Sequence, residues 1–433
     1  MRNLLSSLAT LLTLGVAFAA SAGAQETGSV IFFHPDGMGA NQWGAVRMRY
    51  VGPDGRLNWD SLPYLAVYTG HMANALTATS HGGATVHAYG VKVKADSYGL
   101  NGGEPIRSRA GNGMSILEEA KAAGRAVGLV NSGTITEPGT GVFAASVPRR
   151  TNHAEIARLI LELEPDVILG GGERHFLPEG VRGVHGEGRR QDGLNLIERA
   201  RKLGYTVIFS RAELEALPAE TDKLLGLFAA HHTFNAAAEE ALERAGRPHY
   251  EETAPSIAEM VSAALAILSR KPSGFLLVAE EEGTDNFGNA NNAAGTLEAG
   301  RRADEAIGVI RHHIRANPNT LMIMTSDSDA GGMQVVGRPP GGGIVEGQPV
   351  PERDPNGAPL DGVTGSGSAP FLSAPDRAGR RWPFAITWAS RDDVSGGILV
   401  RAEGLNAELV HGTLDSTDVY RVMYRTLFGV LID

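Results

Sequence analysis

The sequence predicts an α/β fold: a large, mostly parallel central sheet with helices on both faces. Three observations carry that prediction. Short apolar runs of strand type recur along the chain, helical patterns separate them, and most runs end in turn or acidic residues. With 433 residues and 42% hydrophobic side chains, the chain is long enough to bury one large core. In such a sheet, functional groups gather at the loops beyond the carboxyl ends of the strands.

The first residues, MRNLLSSLATLLTLGVAFAASAGAQ, combine Arg2, a short apolar run and the small-residue site Ala22-Gly23-Ala24. They read as a cleavable secretory signal over 1–24, so the expected product is exported, periplasmic or secreted, with a single domain over 25–433. The first strand is SVIFFHPDG, with Asp36 at its end. ALTATSHGGATVHAYGVK then opens a helix, where Ser80 precedes Gly82, Gly83 and Ala84. The runs AVGLVNSG, DVILGGG and YTVIFS are further strands, with helical segments at 115–123, 153–163 and 192–203 around them. Thr140 lies a few residues past the first of these runs. A helix over 256–270 leads into GFLLVAEEEG, whose acidic end spans Glu280 to Asp285. A helix over 295–315 leads into LMIMTSDSD, which ends at Asp327 and Asp329. Residues 337–381 are rich in Gly and Pro, lack sustained periodicity and read as an irregular surface insertion, a lid or a dimer contact. The strand ILVRAEG and the helix DSTDVYRVMYRTLFGVL complete the fold.

Composition excludes some functions. A net charge of −10 argues against a nucleic-acid or anionic-membrane partner held by bulk electrostatics, though not against a small anion in a local pocket. The chain has no cysteine, so disulfides, thiolate ligation and thiol catalysis are ruled out.

Acidic groups that converge at strand ends repel one another, and burying several together is costly unless a cation neutralises them. Any one cluster equally suits a turn or a helix cap, but four on a common sheet edge favour metal. Ser80 has two readings as well. It suits an N-cap, or a nucleophile at a helix N-terminus whose dipole favours an oxyanion.

The segments IFFHPDGMG, the serine helix ending GVK, DVILGGGERHFLP, LGLFAAHH, APSIAEMVSAALAILSRKPSGFLLVAEEEGTDN and LMIMTSDSD occur in the order and spacing of the alkaline phosphatase family. The chain resembles that family from about residue 28 to 432. The resemblance implies its fold and a metal-dependent phosphomonoesterase that acts on small phosphorylated substrates through a phosphoserine. By position it makes Ser80 the nucleophile and a metal neighbour, with Arg150 as the phosphate clamp. It makes Asp36 the carboxylate shared by two metal positions, with Thr140 and Glu280 completing a magnesium-type site. Asp285 and Asp327 hold the other metals. Family members commonly form homodimers, and no membrane or nucleic-acid partner is implied.

The departures from the family pattern bear on the metal. The family has His four residues after the aspartate matched by Asp285, and Asn289 stands there. It has His directly after the aspartate matched by Asp327, and Ser328 stands there. The last family histidine, upstream of ILVRAEG, is absent, which leaves Asp392 or Asp393 as substitutes. Oxygen ligands suit hard cations, so the expected cofactors are two or three divalent ions, Mg²⁺ with Ca²⁺, Mn²⁺ or Zn²⁺, and Asp329 is expected to supply a further oxygen. His81 is the histidine expected nearest substrate or metal, whereas His34 and His87 read as packed residues. Thr79 is a rival to Ser80, and Glu137 to Thr140. The alternative functions are hydrolysis of phosphodiesters or sulfate esters on the same fold, or metal and phosphate binding without catalysis.

Overall fold

The computed structural model describes residues 27–337 and 343–433, so the expected signal segment lies outside the described residues. Ten strands form the central sheet. They are β1 (Ser29–Pro35), β2 (Tyr64–Thr69), β3 (Ala126–Thr134), β4 (Val167–Gly171), β5 (Thr206–Ile208), β6 (Leu224–Leu227), β7 (Phe275–Glu281), β8 (Thr320–Met324), β9 (Leu399–Gly404) and β10 (His411–Asp415). Their order across the sheet is β10-β2-β9-β8-β1-β7-β3-β4-β6-β5. Only β9 runs against the rest, antiparallel to both β8 and β2.

The central strand β1 shows why the sheet needs helices on both faces. Val30 and Phe32 enter one hydrophobic core, Ile31 and Phe33 the other, and all four are fully buried. Successive side chains of a strand point to opposite faces, so a strand covered on both sides reads as an unbroken apolar run. The helices that matter for the site are α1 (Ala40–Tyr50), α2 (Ser80–Tyr89), α3 (Ile257–Leu268), α4 (Gly283–Asn289), α5 (Ala293–Ala316) and α6 (Ser416–Phe428). Helices α2 and α6 contribute Val86 and Met423 to the first core; α1, α3 and α5 contribute Val46, Val261 and Ile307 to the second. Both α3 and α6 open with a reciprocal capping box, Ser256 with Glu259 and Asp415 with Asp418, which satisfies backbone donors left free at a helix start.

The segment expected to be an irregular insertion is more ordered than its composition suggests. Leu360–Gly362, Gly365–Ser366 and Phe371–Leu372 join Gln334–Val336 and Pro383–Thr387 in a small antiparallel sheet. Phe371 stacks on Phe384 at 5.4 Å and both enter the second core. Strands of two or three residues are too short to show a side-chain period, which is why the sequence pattern did not reveal them. Among the described residues, no helix is long and apolar enough to cross a membrane.

Candidate metal centre

Parallel pairing delivers the acidic side chains to one edge. In the β1–β7 ladder His34 lies opposite Glu280, and β1 pairs with β8 as far as Phe33 and Met324. Asp36, Glu280, Glu282 and Asp327 therefore leave three neighbouring strands at the same level. Helix α4 follows β7 at once and carries Asp285 and Asn289 one turn apart, on one face. Gly37, at φ 68°, turns the chain where an added Cβ would meet Asp285 Oδ1 at 3.0 Å.

Two triplets meet within this edge. His34, Asp36 and Glu280 each offer a ligand atom within 4.8 Å of the others, and so do Asp36, Glu282 and Asp285. His34 Nδ1 lies 3.3 Å from Glu280 Oε1, and its Nε2 lies 3.7 Å from Asp36 Oδ1. His34 is thus not the satisfied packing residue that its sequence context suggested: register places it among the carboxylates, and its Nε2 has no hydrogen-bond partner. His87 packs with its Nε2 2.8 Å from the Tyr68 hydroxyl, but its Nδ1 too is buried without a hydrogen-bond partner.

Asn131 Nδ2 donates to Glu280 Oε2 and, at 2.9 Å, to Thr140 Oγ1. Gly139 brings the Thr140 turn so close that a Cβ there would fall 1.8 Å from Glu280 Oε1. Asn289 Nδ2 donates to Asp285 Oδ1 at 3.0 Å and to Asp393 Oδ1 at 2.9 Å. Asp329 Oδ1 accepts from Gln42 Nε2 of α1. The oxygen that meets Asp285 through Asn289 comes from Asp393, one of the two substitutes expected for the last family histidine.

Ser80 opens α2. Gly83, one turn on, lies so near Asp327 that a Cβ there would sit 2.2 Å from its Oδ2, which puts the N-terminal turn of α2 against that carboxylate. Thr79 is the N-cap and accepts from Gly82 N at 3.2 Å while donating to Ala95 O. Its hydroxyl is committed to the helix start. Arg150 donates to Glu137 Oε2 at 2.7 Å, so Glu137 serves the guanidinium.

The charges are under stress. Burial, then the Asp36 carboxylate, push Asp327 well above the usual carboxylate range. Burial, then Asp393 and Asp36, do the same to Asp285. Asp36 Oδ2, both oxygens of Asp327, Glu282 Oε2 and Ser328 Oγ are buried without any hydrogen-bond partner. Buried polar atoms are nearly always paired, and converging orphan oxygens are what a hard cation requires. The donor set, carboxylates with Asn289, Thr140 and Ser328, fits such ions. His81 is near the clamp, where burial and then Arg150 hold its imidazole down to about 4 and hence neutral.

Sequence reasoning passed over Glu282 inside the run AEEEG, where only position along the strand end separates it from Glu280. It also missed a second group, His153, His175, His231 and His232, that assembles from separate segments. Rings of His153 and His175 stack at 4.6 Å, and those of His231 and His232 at 3.9 Å. His231 and His232 line a cavity of about 620 Å³ beside Phe234 and Arg247.

A mostly parallel sheet with helices on both faces and carboxylates gathered beyond its strand ends defines the class: an α/β protein with a candidate metal centre at the carboxyl edge of its sheet. The chain belongs to the alkaline phosphatase family, whose family model matches residues 28–356. It is 30% identical over 341 residues to the alkaline phosphatase of Gadus morhua, covering 69% of this chain and 68% of that one. It is 27% identical over 460 residues to the tissue-nonspecific isozyme of Rattus norvegicus, covering 94% and 84%. The fold matches Thermus thermophilus alkaline phosphatase with a TM-score of 0.70 at 22% identity, covering 96% of this chain and 95% of that one. It also matches the enzyme of the Antarctic bacterium TAB5, with a TM-score of 0.70 at 19% identity and coverage of 93% and 98%. A solved variant of the TAB5 enzyme has Mg bound in its M3 site; it matches with a TM-score of 0.67 at 19% identity, covering 93% and 99%.

Proposed function

We propose that this chain is an exported, metal-dependent phosphomonoesterase with Ser80 as its nucleophile. One observation carries the reading: the first turn of the Ser80 helix rests against Asp327, both of whose oxygens are buried and unpaired. The helix that would present the nucleophile and a carboxylate suited to a cation are thereby neighbours.

Asp36, Asp285, Asn289, Asp327, Ser328 and Asp393 would hold the cations, with Thr140 and Glu280 completing a magnesium-type position and Asp329 at the rim. Bound there, divalent ions would lower the serine pKa and offset the charge of the transferring phosphoryl group. Ser80 Oγ forms a bond to phosphorus as the bond to the substrate alcohol breaks, and the serine proton leaves with that alcohol. Water then attacks the phosphoserine, freeing phosphate and returning a proton to Ser80. The N-terminus of α2 directs backbone N–H groups towards the anion. Arg150 is held ready by Glu137 and presents a planar pair of donors for the non-bridging oxygens. Substrates are small phosphate monoesters.

The test is hydrolysis of p-nitrophenyl phosphate by chelator-stripped protein, re-supplied separately with Zn²⁺, Mg²⁺, Ca²⁺ and Mn²⁺. Recovery with a hard cation and loss of burst-phase phosphorylation in Ser80→Ala are the expected results. An unchanged burst in that variant would sink the assignment of Ser80, and silence with every metal would sink the activity.

A further inference from the structure

We propose that Glu282 is a metal ligand, giving this chain a cation position held by Asp36, Glu282 and Asp285. The resemblance to the family assigns Glu282 no role, and the motif that begins at Glu280 passes over it. Its oxygen nevertheless lies within 4.8 Å of an oxygen of each of the other two. Glu282 is 1% exposed, and its Oε2 is buried with no hydrogen-bond partner. Asp36 Oδ2 is orphaned in the same way.

The side chain is built into its place. Asn286 Nδ2 donates to Glu282 Oε1 at 3.0 Å and fixes one oxygen, leaving the other without a partner. Its backbone N–H is anchored on Ser132 Oγ at 3.0 Å. Gly133 makes the room, since an added Cβ would fall 2.8 Å from Glu282 Cγ. The nearby cation that would otherwise answer this charge is engaged, because the Arg150 ion pair is with Glu137. Among the described residues no ion pair reaches Glu282. A buried carboxylate facing two more, with neither an ion pair nor a full set of hydrogen bonds, costs several kcal/mol if charged. Asn286 and Gly133 hold the side chain in this place, and a shared cation would remove that cost.

Glu281 is the internal control. It is equally buried and its Oε2 likewise lacks a hydrogen-bond partner, but its Oε1 accepts from Ser132 Oγ at 2.7 Å, Tyr250 Oη at 2.9 Å and Gly283 N at 3.1 Å, and it belongs to neither triplet. It faces away from Asp36.

This proposal rests on the reading of the edge as a cation site. Its test counts bound cation rather than turnover, so a chain that binds without hydrolysing any ester would overturn the activity and leave the ligand standing. Chelator-stripped protein is titrated with Mn²⁺, and free Mn²⁺ is read from its EPR signal for the unmodified chain, Glu282→Gln, Glu282→Asp and Glu281→Gln. The expected result is that Glu282→Gln loses one bound ion or weakens one by about tenfold or more, while Glu281→Gln binds as the unmodified chain does. If Glu282→Gln does not fold, Glu282→Asp keeps the charge but shortens the reach, and a weakened ion is again expected. Unchanged binding in the readable Glu282 variant, or an equal loss in Glu281→Gln, overturns the proposal.

Discussion

Two clusters of ionisable side chains sit on the same strand edge and behave in opposite ways. At the ends of β1, β7 and β8, carboxylates converge with orphan oxygens, and burial with mutual repulsion pushes Asp285 and Asp327 far up. Past the ends of β3, β4 and β6, four imidazoles converge with their needs largely met. His153 Nδ1 contacts Thr136 Oγ1 at 2.8 Å, His231 Nδ1 contacts Thr134 Oγ1 at 2.5 Å, and Thr134 N donates to His232 Nδ1 at 3.2 Å. Burial and neighbouring cationic groups hold His231 and His232 down to about 3 and His175 to about 2. Neutral rings stack without repulsion, whereas carboxylates kept in their charged form need a cation. Convergence alone therefore does not mark a metal site; unresolved charge does.

The sharpest way to break this comparison is to remove one orphan. Asp36→Asn keeps the shape and deletes the carboxylate that both triplets share. Turnover should fall on the order of 10³-fold, and the rise in melting temperature on adding Mn²⁺ to stripped protein should shrink in parallel. A variant that still gains full stability from Mn²⁺ would show that Asp36 is not a ligand.

A buried carboxylate outside the centre separates burial from cation binding. Glu239 receives Ala294 N at 3.1 Å on one oxygen, and its other oxygen has no partner. Burial, then Asp361, raise it to about 8. The folded chain thus keeps this proton to higher pH than the unfolded chain, and stability falls as pH rises from about 4.5 to about 8. Glu239→Gln lacks that loss. Urea unfolding should show its advantage growing from near zero at pH 4 to on the order of 3 kcal/mol at pH 9. A gap that does not widen with pH would mean that Glu239 stays charged in the fold.

Ligand chemistry can be shifted as well as removed. Asn289→His places an imidazole beside Asp285 and Asp393, which should move relative affinity towards Zn²⁺ over Mn²⁺ on the order of tenfold. Competition titrations read this directly, and an unmoved ratio would place the cation away from Asn289.

The fold and the carboxylates were legible in the sequence for the same reason: a parallel strand buried on both faces announces itself as an apolar run, and an acidic residue at its end stands out. SVIFFHPDG and LMIMTSDSD placed Asp36 and Asp327 without any knowledge of pairing. What the sequence hid depends on register and side-chain direction. His34 read as a packed residue because its partner, Glu280, is 246 positions away and meets it only through the β1–β7 ladder. Of the pair Asp392 and Asp393, spacing does not tell which one meets Asn289; the fold brings Asp393 there. Nothing in the spacing of His153, His175, His231 and His232 foretells a group drawn together from loops beside three strands.

That histidine group supplies the smallest expected effect and the finest test of the comparison. If its rings are satisfied rather than waiting for metal, removing one should disturb packing and leave cation chemistry alone. His231→Gln loses the contact with Thr134 Oγ1 and the face of His232 at 3.9 Å, so stability should drop by about 1 kcal/mol. Its Mn²⁺ stoichiometry should match that of the unmodified chain, and turnover of p-nitrophenyl phosphate should stay within about threefold. Loss of a bound ion in this variant would mean that these imidazoles had been gathered beside the carboxylate edge to hold a softer cation, and the contrast between charged and neutral clusters would fail.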